Sequence, residues 1–156
     1  MHEFVSHVRA AGVWMAGCRG GSRSTVTLWY PVVLVHGSLE NMAFNWYTAS
    51  PLLKNAGYCV FALNYGQEDS RLIGAPGSSR PGGSGDIVQS AQQLSAFVDQ
   101  VLAATGASKV DLVGHSQGGM MPRWYMRFDG GAAKVNHLVA LSPPPRATAA
   151  RSTGWH

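Results

Sequence analysis

In Gly114-His115-Ser116-Gln117-Gly118 a serine has glycines two positions before and two after it, the pattern in which a hydroxyl is presented for attack on a carbonyl carbon. The spacing has a steric reason. A serine held at a sharp strand-to-helix turn needs neighbours without Cβ, so that strand and helix can pass closely. The context suits such a turn, because the apolar run Val110-Asp-Leu-Val113 precedes it and residues 118–128 have helical character. There the Ser116 hydroxyl would stand at the carboxyl end of a sheet, with the Gln117 N–H facing a developing oxyanion. A second donor is expected from another strand end. His36-Gly37-Ser38 follows the run Val32-Val-Leu-Val35, which points to the N–H of Ser38 or, failing that, of Leu39.

A serine hydroxyl is a weak nucleophile at neutral pH, and acyl transfer needs a histidine to take its proton and a carboxylate to orient that histidine. After Ser116 the side-chain candidates are Asp129, His137 and His156. Asp129 reads as a helix-end residue, and His137 as a residue at the wrong end of its strand. His156, as the last residue, is not preorganised. Neither acid nor base is thus identified. No metal-ligand spacing occurs, and no cofactor is expected.

The elements that must position Ser116 follow from apolar runs and breakers. Strands are expected at the apolar runs 32–35, 59–63, 110–113 and 137–141, the first of them β-branched and fit to be buried on both faces. A helix is expected over residues 48–56, stopped by Gly57. Another starts at Asp86, where Gln89 completes a capping box, continues with Ile87, Ala91, Leu94, Val98, Val101 and Leu102 on one face, and ends at Gly106. Pro122 is tolerable near the first turn of the helix after Ser116. Strands alternating with helices imply an α/β fold with a mostly parallel sheet and helices on both faces. Residues 66–85 are a glycine-rich loop that could cover the site.

At 156 residues the chain has the size of one compact domain, and 46% apolar content excludes disorder throughout. The net charge of +4 comes from scattered Lys and Arg, which gives a mildly basic surface and no nucleic-acid site. No apolar run is long enough to span a membrane. Cys59 reads as a small core residue, and Cys18 ends a short apolar stretch that loosely matches a lipoprotein cleavage site. Three segments are expected: residues 1–28 as a loose leader that need not be native, 29–144 as the folded body, and 145–156 as an irregular tail of the kind an out-of-frame GC-rich gene produces.

Pro31-Val-Val-Leu-Val-His-Gly-Ser38 with Asn45-Trp46, and Val110-Asp-Leu-Val-Gly-His-Ser-Gln-Gly-Gly119, resemble the amino-terminal half of bacterial, actinobacterial-type class 2 triacylglycerol lipases and esterases. The resemblance covers about residues 30–144. It implies a partial α/β-hydrolase fold whose carboxyl-terminal strands, with the acid and base, are missing. It implies a secreted ester hydrolase acting on acyl esters or lipids through an acyl-serine at Ser116, with Ser38 and Gln117 N–H groups as oxyanion hole and Gly114 and Gly118 as the elbow glycines. His115 is not the base on this reading. Contact with a lipid interface follows as an expectation, and Met42, Phe44, Trp46, Tyr47, Met120, Met121, Trp124 and Tyr125 are candidates for an acyl pocket or for core. Two alternatives stand beside it: a non-catalytic fragment or interaction module, and an acyltransferase or thioesterase on the same elbow.

Overall fold

The computed structural model describes residues 30–67 and 82–144, and the backbone of 14–16. Five strands form one sheet in the order β1-β3-β2-β4-β5. They are β1 (Trp14–Ala16), β2 (Val32–Val35), β3 (Val60–Leu63), β4 (Val110–His115) and β5 (Val135–Leu141). The neighbours β3, β2, β4 and β5 run parallel, and β1 pairs antiparallel with β3. Segment 1–28, expected to be loose, thus contributes an edge strand at Trp14–Ala16, whose three residues are too few to show a period. The rest of 1–28, the Cys18 motif and the tail at 145–156 lie outside the described residues.

Helices stand between the successive parallel strands β2, β3, β4 and β5, as their crossovers need. The helices are α1 (Met42–Trp46), α2 (Ala49–Asn55), α3 (Ile87–Thr105), α4 (Gln117–Phe128) and α5 (Gly131–Lys134). The caps explain the bounds of α3: the Asp86 carboxylate accepts from Gln89 N–H at 2.9 Å, and Gly106 takes the left-handed conformation, φ 69°. α1 was not expected, although Asn41 caps it by accepting from Phe44 N–H at 2.8 Å. A five-residue helix is too short for a 3.6-residue period to appear.

Helices pack on both faces of the sheet. On one face Val33, Val35, Phe61, Val110 and Leu112 meet Ala91, Leu94, Phe97, Val98 and Val101 of α3 and Met121 and Tyr125 of α4. On the other, Val32, Leu34, Val60 and Ala62 meet Met42 and Trp46 of α1, with Ala49 and Leu53 of α2 beside them. That second layer stops short of β5, where Val139 and Leu141 remain 48% and 45% exposed. Cys59 is disulfide-bonded and only packs at the margin of the core, which corrects its reading as a simple core thiol.

Candidate active site

β4 delivers Ser116 to the carboxyl edge of the sheet, between β2 and β5, and α4 begins at the next residue. Ser116 has φ 52° and ψ −121°, a conformation that L-residues other than glycine rarely adopt and that costs about 1–3 kcal/mol. Its N–H donates to Leu141 O at 2.9 Å and its carbonyl accepts from Gly119 N–H at 2.9 Å, so both neighbours of the turn hold it. The flanking glycines are there for contact rather than for φ. A Cβ on Gly114 would lie 1.9 Å from Gly118 O, and one on Gly118 would lie 2.2 Å from Val35 O and 2.4 Å from His36 O. The start of α4 is thereby pressed onto the end of β2, which brings Gln117 beside the His36-Gly37-Ser38 turn. A Cβ on Gly37 would meet Ser116 Cβ at 3.2 Å.

The turn after β2 is braced from beneath. His36 is fully buried; its Nδ1–H donates to Gly37 O at 2.8 Å, which leaves Nε2 to accept from Tyr65 N–H at 3.4 Å. The Tyr65 ring stacks on the imidazole at 4.5 Å, and its hydroxyl donates to His36 O at 2.7 Å while lying 3.3 Å from the Gln117 side-chain amide. Gly82 and Gly83, at the end of the glycine-rich loop, close the other side. Leu39 N–H donates to Gly82 O at 2.8 Å, Gly82 N–H to Glu40 O at 2.6 Å and Gly83 N–H to Tyr65 O at 2.8 Å. Residues 68–81 of that loop lie outside the described residues, so its expected role as a cover finds no test there.

Burial lowers the His36 pKa below its ordinary 6.5, while the hydrogen bond to Gly37 O and the Glu40 carboxylate pull weakly the other way. The neutral imidazole is the form that fits, since an added proton on Nε2 would face Tyr65 N–H. Below about pH 6.5 the unfolded chain binds this proton and the folded chain resists it, so stability present above that pH is lost as pH falls. The urea midpoint should therefore drop between pH 7.5 and 5. His36→Gln should be less stable at pH 7.5 and show a shallower slope, and equal slopes would refute the assignment to His36. Burial likewise raises the Tyr65 and Tyr125 hydroxyls, Tyr125 to about 12, so both stay protonated across this range.

Of the acid and base candidates, His156 lies outside the described residues, and Asp129 and His137 are not brought to Ser116. Asp129 caps the far end of α4, about 19 Å along a helix of that length. His137 sits opposite Asp111, about 13 Å down β5 from the residue level with His115, and pairs with the Asp111 carboxylate at 3.2 Å in solvent. His115 contacts Glu40 and Asn45, and no hydrogen bond joins it to Ser116. Among the described residues no His/Cys/Asp/Glu group could hold a metal ion. The aromatic and methionine candidates divide: Met42, Trp46, Met121 and Tyr125 are core, whereas Phe44 and Tyr47 are 71% and 77% exposed and Met120 and Trp124 partly so. Glu40, Tyr65 and the Gly82-Gly83 pair were not singled out from sequence, because only the closure of separate loops brings them to the turn.

Residues 29–144 match the class 2 lipase family. The chain belongs to that family. Over 116 residues it is 41% identical to a triacylglycerol lipase of Pseudarthrobacter phenanthrenivorans and to one of Burkholderia plantarii, in each case covering 71% of this chain. The chain spans 30% and 27% of the lengths of those two curated relatives. Among solved structures, a mature lipase of Bacillus licheniformis superposes with a TM-score of 0.59 at 17% identity, covering 85% of this chain and 46% of that one. A monoacylglycerol lipase of Paleococcus ferrophilus superposes at 0.50 with 27% identity, over 73% of this chain and 40% of that one. The fold is that of the α/β-hydrolases, and this class 2 lipase chain carries its parallel sheet with helices on both faces.

Proposed function

We propose that this chain supplies the nucleophile and oxyanion site of a carboxylic ester hydrolase acting on acyl esters such as acylglycerols. The strained turn at Ser116, wedged by Gly114 and Gly118 against the end of β2, carries this reading. Ser116 Oγ attacks the ester carbonyl and gives up its proton, the carbonyl oxygen becomes the oxyanion held by Ser38 and Gln117 N–H, and collapse breaks the ester C–O bond, the departing oxygen taking up that proton to leave as the alcohol and an acyl-serine remaining for water to cleave. Leu39, Phe44 and Tyr47, exposed directly after the oxyanion turn, support contact with acyl chains or a lipid surface. No described helix is long and apolar enough to cross a membrane. The disulfide at Cys59 suits an oxidising compartment, in keeping with a secreted protein.

A second reading rests on a specific observation: no described acid–base pair reaches Ser116, so the chain by itself is a non-catalytic portion of such an enzyme. Turnover of p-nitrophenyl butyrate by the purified chain separates the two. If the chain is catalytic, release of nitrophenolate exceeds buffer and falls to background in Ser116→Ala. Equal rates for the two proteins would refute catalysis by this chain.

A further inference from the structure

We infer that Glu40 is a positioning residue that holds the oxyanion turn in its active shape; this rests on the function proposed above. One carboxylate oxygen carries the assignment. Glu40 Oε2 accepts from Gly37 N–H at 3.0 Å and lies 3.2 Å from His115 Nδ1, so it ties the turn after β2 to the residue before Ser116. Glu40 is itself anchored through its backbone, since Leu39 and Glu40 bridge to Gly82. Its side chain is 23% exposed, so water competes weakly for the carboxylate.

The imidazole must donate to this oxygen, which fixes the proton on Nδ1. The Asn45 side-chain amide lies 3.2 Å from the same Nδ1, and Asn45 Oδ1 is buried without a partner when Nδ2 faces the ring. Turning that amide over presents an oxygen to the imidazole N–H and removes the donor–donor conflict. Glu40, His115 and Asn45 then form a clamp joining α1, the turn after β2 and the end of β4.

The clamp matters because the turn does not hold its shape unaided. Leu39 has φ 60°, a conformation a leucine leaves unless contacts oppose it. With Gly37 N–H engaged by Glu40, that donor is turned away from the reacting carbonyl, and Ser38 N–H is the one left to face it. The role belongs to the oxygen as acceptor and not to its charge: a carboxylate close to a developing oxyanion opposes it.

The test compares the chain with Glu40→Met, which keeps the length but removes the acceptor, with Glu40→Ala, and with Glu40→Gln, which keeps an oxygen and removes the charge. Two readouts are taken: amide exchange at Gly37 by NMR, and the rate at which a p-nitrophenyl alkylphosphonate modifies Ser116. Met and Ala should each speed Gly37 exchange and slow phosphonylation by about tenfold, the loss of one hydrogen bond, and Gln should restore both. A Gly37 amide as protected in the Met or Ala variant as in wild type, or a Gln variant as impaired as either, overturns the proposal. If the wild type is not phosphonylated at all, the proposed function fails, and Gly37 exchange still judges Glu40. Should one of the two acceptor-free variants not fold, the other is compared with Gln.

Discussion

Gly118→Ala should leave the chain unable to reach its native fold. The added Cβ would sit 2.2 Å from Val35 O and 2.4 Å from His36 O, backbone atoms at the buried end of β2 and the start of the turn after it, which cannot swing aside as a side-chain tip could. Overpacking in a well-filled interior costs about 1–3 kcal/mol even where side chains can yield. Here the alternatives are to push α4 off the sheet or to break the pairing of β2, and the cost should exceed that range. The same reasoning applied to Gly57→Ala gives a very different answer: nothing lies near its Cβ, and only its φ of 94° resists. Circular dichroism melts of both variants check this. A Gly118→Ala protein melting within a few degrees of wild type would show that strand and helix are farther apart than described.

Tyr65→Ala should cost about 3–5 kcal/mol, the range for removing a large buried ring. The residue is nearly fully buried, stacks on His36, and satisfies His36 O with its hydroxyl, so truncation leaves both a cavity and an orphaned carbonyl beneath the turn after β2. Tyr65→Phe separates the two terms. It keeps the stack and loses the hydrogen bond, for about 1–2 kcal/mol. Urea titration of the three proteins, read at constant m-value, gives both numbers. If the Phe variant lost as much as the Ala variant, the ring would contribute nothing by packing. That result would contradict the stacking described.

The parallel strands were legible because strands buried on both faces are written as short unbroken apolar runs, as in Val32–Val35 and Val60–Leu63. α3 was legible from its two caps and its apolar stripe. Ser116 and its glycines could be singled out because their contacts are local in sequence, with strand, turn and helix following one another over residues 110–128. Glu40 and Tyr65 could not, since the first acts through Gly37 and His115 and the second through His36 and Gln117, across loops whose closure no spacing encodes. The edge strand Trp14–Ala16 was hidden for a different reason. Its pairing partner on β3 is distant in sequence, and its three residues carry no alternation of their own.

Three non-glycine residues among those described have positive φ: Leu39, Ser116 and Ser142. They follow β2, β4 and β5, three strands adjacent in the sheet, and so lie at one rim. Below that rim local preference and tertiary packing agree, while at it they conflict, each such residue holding about 1–3 kcal/mol that is released when its turn opens. Among the described residues this backbone strain therefore lies on one side of the sheet. Local unfolding costs least where substrate would arrive, and the sheet beneath can stay folded while the rim rearranges around an acyl group.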